Sequence, residues 1–456
     1  MTKIGHILVG DPDPDAALAR CEALAEAGYR ALPASEARAL IELAARRRPD
    51  VVLLGVFEGE VDGLHIAEAL KSADATAAIP IVLTAPADLA DDLAVRRKAP
   101  TAGVDDIVAS DASTPEILAR LPRLIRSSVM GAELARRIAT AADFGRRVAP
   151  ETFRRNYPER PRVMTVSEHG DQLSDLQQIL LMAGFHAIPE RTAFRAGERI
   201  DDERVDAALI ALSGPSDAER AAALAAHIRS NPRLFNLPTL VVGPGLDAAA
   251  RERLYQAGAG IVAEGEPTPG GADAEALTAY LHMLVARQRL RWTMRDPFKA
   301  TLGPETGDAE LSGVYSDAFF RAHLARLLAA GEARETSLSV ALIRTDNLAG
   351  VADAHGAESA RILMQQMADW IAGMTRIEDA CARVGPDGFA LSLPETPPDE
   401  AERVVQRIVG VLHQSEFHLS EEVMEVARVW PSAGVAAREP GDDVEGLLAR
   451  AAARRL

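Results

Sequence analysis

The sequence has little cysteine, no long apolar run and a deficit of positive charge, and each shortage excludes a class of protein. Its two cysteines, Cys21 and Cys381, are too few for a disulfide framework and are typical of a reducing compartment. No run of about 18 apolar residues is present, so we expect no membrane insertion. The net charge of −17 disfavours sequence-tolerant nucleic-acid binding, because such binding depends on Lys and Arg contacts to phosphates.

The sequence does contain enough apolar material for several hydrophobic cores. Its 456 residues correspond to about three domains of roughly 150 residues each. The composition, 48% hydrophobic and 26% charged, is that of an ordinary globular protein. We therefore expect a cytoplasmic protein with several domains.

Short apolar runs alternate with amphipathic stretches from the N-terminus onward. Strands that alternate with helices in this way form parallel, doubly wound sheets. The pattern then returns, because Val163 follows Ile7 by 156 residues and Asp206 follows Asp50 by 156 residues. This repeated spacing predicts two copies of one domain.

Both copies resemble the receiver domain of response regulators. The resemblance rests on three runs, Ile7-Leu-Val-Gly-Asp11, Pro49-Asp-Val-Val-Leu-Leu-Gly55 and Pro80-Ile-Val-Leu-Thr84. It implies a phosphoacceptor Asp at the end of the third strand, where this chain has Gly55. Because glycine carries no nucleophile, phosphorylation there is excluded, and we interpret both copies as pseudo-receivers. Phosphorylation on a neighbouring Asp is the alternative.

The composition and the repeat together predict five segments along the chain. Two prolines and turn positions at Gly303 and Gly307 indicate a linker before the third domain. The expected segments are pseudo-receiver domain 1 at 1–128, a linker helix at 129–160, pseudo-receiver domain 2 at 161–295, a linker at 296–308 and a third domain at 309–456.

The third domain is organised around a predicted β-hairpin with strands Ala382–Val384 and Phe389–Leu393. Gly385 and Gly388 are expected to supply the unusual φ values that a tight turn needs, with Asp387 at the tip. The hairpin resembles the signature of the GGDEF domain, the α+β fold of the diguanylate cyclases. In that family the turn reads Gly-Gly-Asp/Glu-Glu-Phe, whereas here it reads Gly-Pro-Asp-Gly-Phe.

The resemblance also implies the positions of the cyclase active site, and most of their chemistry is missing. The strand-one metal ligand falls on Arg344, the guanine contacts fall on Ala352 and Arg361, and the second turn acid falls on Gly388. Two carboxylates that face an arginine do not form a cage for Mg²⁺, so we expect neither cyclase activity nor a catalytic metal. The positions of this degenerate active site are Arg344, Asp346, Ala352, Arg361, Gly385, Asp387 and Gly388.

A second site of the family has its expected spacing from the hairpin in this chain. Arg376 and Asp379 form an Arg-x-x-Asp motif nine residues before Gly385, and in the family this motif is the inhibitory site that binds cyclic di-GMP. Arginine can contact guanine O6 and N7, and a carboxylate can accept guanine N–H donors. We expect both side chains on one side of a helical turn. Arg407, thirteen residues after Pro394, matches a secondary contact of the family.

These observations favour a non-catalytic effector that binds cyclic di-GMP at Arg376, Asp379 and Arg407. The alternative for the motif itself is a surface salt bridge between Arg376 and Asp379. For the chain as a whole, the alternatives are a residual diguanylate cyclase and a nucleotide-independent dimeric scaffold.

The complete layout resembles the PopA-like family of receiver–receiver–GGDEF proteins, which are degenerate paralogues of the PleD type. That resemblance implies a homodimer formed through the receiver-like domains and a location at a cell pole. It also implies recruitment of a cell-cycle regulator to the ClpXP protease through adaptor proteins. Nothing in the residues themselves specifies these partners.

Overall fold

The computed structural model describes residues 5–57, 59–90, 92–149, 160–231, 234, 236–420 and 425–454. The chain divides into two compact units. The first unit comprises Met1–Ser128 with Asn156–Trp292, and the second comprises Val129–Arg155 with Thr293–Leu456. Within the described ranges, no helix is both long enough and apolar enough to cross a membrane.

The first unit opens with a five-stranded parallel sheet. Its strands are β1 (His6–Gly10), β2 (Arg30–Ala34), β3 (Val51–Gly55), β4 (Ile81–Ala85) and β5 (Asp106–Ala109). The helices between and after them are α1 (Pro14–Glu26), α2 (Ala37–Arg47), α3 (Gly59–Ser72), α4 (Ala87–Ala90), α5 (Leu93–Lys98) and α6 (Thr114–Asp143). Strand order is β2-β1-β3-β4-β5, the doubly wound order of flavodoxin-like folds.

A second parallel sheet in the same unit repeats this topology. Its strands are β6 (Arg162–Val166), β7 (His186–Glu190), β8 (Ala207–Ala211), β9 (Thr239–Gly243) and β10 (Ile261–Glu264). Its helices are α7 (Gly170–Met182), α8 (Ala193–Asp202), α9 (Ala218–Ser230), α10 (Ala248–Ala257) and α11 (Ala272–Thr293). The order β7-β6-β8-β9-β10 matches the first sheet strand for strand.

The repeated aspartates explain why the two copies share their register. Asp50 accepts a hydrogen bond from the His6 backbone N–H through Oδ2 at 2.8 Å, and Asp206 accepts one from the Arg162 N–H at the same distance. Both carboxylates are buried. Each therefore fastens the start of the first strand in its sheet to the residue that precedes the third strand, because a buried acceptor must be paired.

The second unit contains an antiparallel sheet with helices packed on it. Its strands are β11 (Leu338–Thr345), β12 (Ala380–Arg383), β13 (Gly388–Pro394), β14 (Glu416–His418), β15 (Val426–Arg428) and β16 (Pro431–Ala437). Its helices are α12 (Arg295–Ala300), α13 (Asp317–Arg334), α14 (Leu348–His355), α15 (Ala357–Met374), α16 (Pro398–Gln414) and α17 (Val444–Ala453).

The strand order of this sheet is β12-β13-β11-β16, and β14 pairs separately with β15. Strands β12 and β13 form the predicted hairpin, with Arg383 opposite Phe389. The fold class predicted from sequence is thereby confirmed, with two doubly wound parallel sheets followed by an α+β domain. Helix α12 occupies part of the stretch that we predicted to be a linker.

Helix α6 runs unbroken past residue 128, and its later residues belong to the second unit. The predicted linker helix at 129–160 thus begins as the second half of a longer helix. The helix ends at Asp143, and residues 150–159 of that prediction lie outside the described residues.

A buried polar network attaches this part of α6 to α13. His323 Nε2 lies 2.7 Å from Glu133 Oε1, and the other ring nitrogen lies 3.1 Å from the Thr140 hydroxyl. Arg137 donates to the same Glu133 oxygen at 2.9 Å. All four side chains are at most 2% exposed. Burial alone would raise the pKa of Glu133, but His323 and Arg137 outweigh it and lower the pKa to about 2.

We expect Glu133→Gln to destabilise the protein by about 3 kcal/mol at pH 7, since breaking a buried ion pair leaves its partners uncompensated. The pKa of Glu133 is lower in the folded state, so its contribution is present above the ordinary value of 4.5 and is lost as pH falls toward 2. The difference in unfolding free energy between wild type and Glu133→Gln should therefore become smaller as the pH falls. Urea unfolding followed by tryptophan fluorescence from pH 7 to pH 3 measures it.

Glu332→Gln is the matched control, because the Glu332 carboxylate is largely exposed where it pairs with Arg438 and its replacement should change stability by less than about 1 kcal/mol. A gap between wild type and Glu133→Gln that stays constant across the pH range would contradict the assignment of Glu133 as a buried, ionised partner.

Candidate functional site

The turn between β12 and β13 is tight, and its two glycines serve different purposes. The Val384 N–H donates to the Gly388 carbonyl at 2.9 Å. Gly385 has φ +69°, which confirms its predicted role. The same prediction for Gly388 is wrong, because its φ is not positive. A Cβ at Gly388 would instead lie 3.0 Å from the Val384 carbonyl oxygen and 3.3 Å from that of Ile343, a close backbone approach that favours glycine there.

Among the positions that the family resemblance assigns to the cyclase active site, Arg344 is paired with Asp387 of the hairpin turn. Arg344 lies on β11 opposite Gly388. Its Nη2 donates to Asp387 Oδ2 at 2.9 Å, and its Nε donates to the same oxygen at 3.3 Å. A fixed cation therefore occupies the place beside Asp387 where the family resemblance implies a metal ion.

The other positions of this site make local contacts of their own. Asp346 Oδ1 accepts a hydrogen bond from the Ser432 hydroxyl at 2.9 Å, and Arg361 pairs with Glu358 at 2.7 Å. Ala352 lies half-buried on α14. Over the described part of the chain, no group of three or more His, Cys, Asp or Glu side chains is arranged to hold a metal ion.

The Arg-x-x-Asp motif lies on a turn between α15 and β12. The Asp379 N–H donates to the Arg376 carbonyl at 3.1 Å, and the Arg376 N–H donates to Asp379 Oδ2 at 2.7 Å. Our expectation of a helical turn is therefore wrong. The short Asp side chain competes for a backbone N–H and closes a four-residue turn, which allows the chain to enter β12 at Ala380.

Asp379 is a buried carboxylate with one oxygen that accepts no hydrogen bond from the described residues. Its side chain is engaged by backbone rather than by the guanidinium expected of a surface salt bridge, and the residue is 9% exposed. Among the described residues, Oδ1 has no hydrogen-bond partner. Burial and the neighbouring Glu378 raise the pKa of Asp379 to about 7, although Arg376 and Arg137 act in the opposite direction.

Arg376 in this turn and Arg407 on α16 are both exposed. Arg407 Nη2 donates to the carbonyl of Met374 at 3.0 Å. Met374 is the last residue of α15 and stands two positions before Arg376. The structure thus brings Arg407 to the segment that carries Arg376 and Asp379.

In the first parallel sheet, Gly55 ends β3 opposite Thr84 of β4. A Cβ at Gly55 would lie 2.8 Å from the Gly10 carbonyl oxygen, so the backbone leaves no room for a side chain. The position predicted to have lost its phosphoacceptor is therefore closed by packing as well as by residue type.

Comparison with known proteins found matches to the third domain and to the chain as a whole. Residues 308–454 match the family described as diguanylate cyclase, GGDEF domain. This stretch is therefore similar to a GGDEF domain. Response regulator PleD of Caulobacter vibrioides is 25% identical over 449 residues, which cover 98% of this chain and 94% of PleD. The probable transcriptional regulatory protein TcrX of Mycobacterium tuberculosis is 33% identical over 120 residues, 26% of this chain and 49% of TcrX.

Solved structures similar to this chain include isolated GGDEF domains. That of PA1120 from Pseudomonas aeruginosa is 26% identical with a TM-score of 0.30, and the match covers 32% of this chain and 83% of that one. That of DgcB from Caulobacter crescentus, solved in complex with c-di-GMP, is 21% identical with a TM-score of 0.32, covering 33% of this chain and 86% of that one.

Sequence reasoning missed one residue that contacts the candidate site. Arg137 of α6 donates to the carbonyls of Ile377 and Glu378, inside the Arg-x-x-Asp turn of the GGDEF domain. Its i,i+4 spacing from Glu133 is visible in the sequence. Its contact with a turn about 240 positions further along is not, because no local pattern encodes a long-range pair.

We expect Asp379→Asn to stabilise the chain more at pH 8 than at pH 5. The amide can still accept from the Arg376 N–H but cannot ionise. The pKa of Asp379 is raised from 3.8 to about 7 in the folded state, so its stabilising contribution is complete below 3.8 and is lost as pH rises through 7. Urea unfolding of both proteins at the two pH values measures the difference.

Asp346→Asn serves as the control, because that carboxylate is exposed and should give no such pH-dependent gain. Wild-type and Asp379→Asn stabilities that run parallel between pH 5 and pH 8 would argue against a buried carboxyl group with a raised pKa.

Proposed function

We propose that this chain is a non-catalytic effector that binds cyclic di-GMP at Arg376, Asp379 and Arg407 of its GGDEF domain. The observation that carries the proposal is the buried Asp379 carboxylate, whose Oδ1 has no hydrogen-bond partner within the described ranges. An unsatisfied buried acceptor costs about 1–3 kcal/mol, and a ligand that donates to it recovers that cost. Exposed arginines beside it supply the matching contacts.

A guanine base has N–H donors that match the Asp379 carboxylate and acceptors that match the Arg376 guanidinium. Its N1–H and N2–H groups can donate to the Asp379 carboxylate, and its O6 and N7 can accept both donors of an arginine fork such as Arg376. Arg407 is held beside the start of the turn by the Met374 carbonyl and adds a second cation next to an anionic dinucleotide. The site therefore suits a ligand that combines guanine edges with phosphates.

The absence of cyclase activity is part of the proposal and is supported by the charges at the old active site. Phosphoryl transfer depends on metal ions held by carboxylates, and Asp387 is instead paired with Arg344. A side chain at Gly388 would crowd the carbonyl oxygens of Val384 and Ile343, which disfavours the acid that the family carries there. Removing one group that stabilises transition-state charge costs orders of magnitude in rate, and several are replaced together here.

The output of the effector is proposed to be protein–protein recruitment. Similarity to PleD along nearly the whole chain supports a signalling role. The lack of space for a side chain at Gly55 argues against regulation by phosphorylation at that position. We propose a cytoplasmic homodimer formed through the receiver-like domains that acts at a cell pole and brings a cell-cycle regulator to the ClpXP protease through adaptors. The five-segment organisation given above belongs to this proposal.

Calorimetry with cyclic di-GMP tests the binding site. We expect wild type to bind and Arg376→Gly to bind at least tenfold more weakly, since a bidentate arginine–guanine contact contributes about 1–3 kcal/mol. Wild-type affinity should also fall as pH drops below 7, because Asp379 takes up a proton there and loses its capacity to accept both guanine donors.

Arg403→Gly is the control for this experiment. Arg403 lies on α16, as Arg407 does, but pairs with Asp399, so the variant should bind like wild type. Equal heats for wild type and Arg376→Gly would rule out the site, and no heat with either protein would favour a nucleotide-independent scaffold.

A GTP turnover assay with Mg²⁺ or Mn²⁺ separates the effector from the residual cyclase. We expect no cyclic di-GMP to form, because the Arg344–Asp387 pair occupies the metal position. Chromatographic detection of the product from wild type, abolished in Asp387→Asn, would establish a cyclase instead.

A further inference from the structure

The turn that carries Arg376 and Asp379 is held from outside by a residue to which the proposed function assigns no role. Arg137 Nη1 donates to the Ile377 carbonyl at 3.1 Å, and its Nη2 donates to the Glu378 carbonyl at 2.5 Å. These are the two central residues of the turn. A single guanidinium on α6 therefore fixes the backbone between the proposed ligand contacts.

Arg137 is itself rigidly held. Its Nε and Nη2 donate to Glu133 Oε1 at 3.2 and 2.9 Å, and its guanidinium stacks 4.8 Å from the centre of the Phe298 ring. The residue is 2% exposed. Because the planar guanidinium keeps fixed directions for its donors, a shift of α6 must move the turn or break these bonds.

Apolar packing reinforces the connection between the turn and the helix. Met130 and Leu134 of α6 form a buried cluster with Phe298, and Ile377 of the turn packs against that cluster. The turn thus contacts α6 through both a charged hydrogen-bonded group and an aliphatic side chain. Either contact alone would restrict its position, and together they define it.

We propose that Arg137 is a positioning residue for the dinucleotide site, and that ligand binding at the Arg376–Asp379 turn is coupled to the docking of α6 on the GGDEF domain. The inference rests on the proposed function, because it concerns the same site. Coupling between two events is reciprocal. If α6 docking holds the turn in the shape that the ligand accepts, ligand binding stabilises α6 docking by the same free energy.

The coupling gives the ligand a route to the rest of the chain. Helix α6 is continuous from Thr114 to Asp143, with Pro122 in its interior, so a change in the docking of residues 129–143 is a change on the same helix that follows β5. The ligand then acts by selecting one position of this helix, with no covalent chemistry at either parallel sheet.

Calorimetry with cyclic di-GMP on full-length variants tests the proposal. We expect Arg137→Gln to bind at least tenfold more weakly than wild type, and Arg137→Lys to recover part of that loss because lysine can still donate to one carbonyl. Arg136→Gln is the matched control. Arg136 also contacts Glu133, at 3.2 Å, but makes no hydrogen bond to the turn within the described residues, so this variant should bind within twofold of wild type.

Amide hydrogen exchange on wild type gives a readout that needs no substitution. Cyclic di-GMP should slow exchange in the turn and in residues 129–143 of α6, relative to α14 as an internal reference. If Arg137→Gln fails to fold, this measurement decides alone, and the absence of selective protection in α6 overturns the inference.

The outcomes separate the two proposals. If wild type binds and Arg137→Gln binds equally well, the positioning role is wrong and the proposed effector function stands. If wild type does not bind cyclic di-GMP at all, the effector function fails and the coupling fails with it.

Discussion

The hydrogen bond from the Arg376 N–H to the Asp379 carboxylate sets the geometry on which the candidate site depends. It closes the turn between α15 and β12, so one carboxylate oxygen is consumed by backbone and the other is left buried without a partner in the described structure. A buried, half-satisfied carboxylate is unfavourable by itself, and its raised pKa of about 7 expresses that cost.

The electrostatic arrangement differs between the two sites of the GGDEF domain. At the positions where the family resemblance implies the cyclase active site, Arg344 pairs with Asp387, and their opposite charges compensate each other. At the Arg-x-x-Asp turn, Arg376 and Arg407 are exposed, and in the described structure neither donates a side-chain hydrogen bond to Asp379, so their positive charge remains available to an anion. The first pair therefore opposes metal binding, whereas the second segment suits an anionic ligand such as the proposed dinucleotide.

The sequence was sufficient to predict what depends on local pattern or constant spacing. The two parallel sheets follow from apolar runs, and Asp50 and Asp206 occupy identical structural positions because each fastens the first strand of its sheet. The hairpin register follows from the positions of its apolar residues. These features depend on local sequence patterns, so they can be predicted without knowledge of tertiary contacts.

Other features depend on which of two local backbone conformations of similar stability forms, or on contacts with residues far away in the sequence. Whether Arg376–Asp379 forms a helical or a reverse turn is decided by a side chain that bonds to backbone and by the strand that follows, which spacing does not reveal. Gly388 is favoured by the close approach of the Val384 and Ile343 carbonyl oxygens rather than by its own φ. Arg137 acts across most of the chain's length, and only the folded arrangement identifies its partners.

The two sets of positions in this domain lie on different elements. Arg344 and Asp387 lie on β11 and on the turn into β13, whereas Asp379 lies before β12 and Arg407 lies on α16. The backbone bonds of the second segment and its attachment to Arg137 involve neither Arg344 nor Asp387. We therefore expect substitution at the first pair to leave the second segment unchanged, since additivity holds for sites that share no partners.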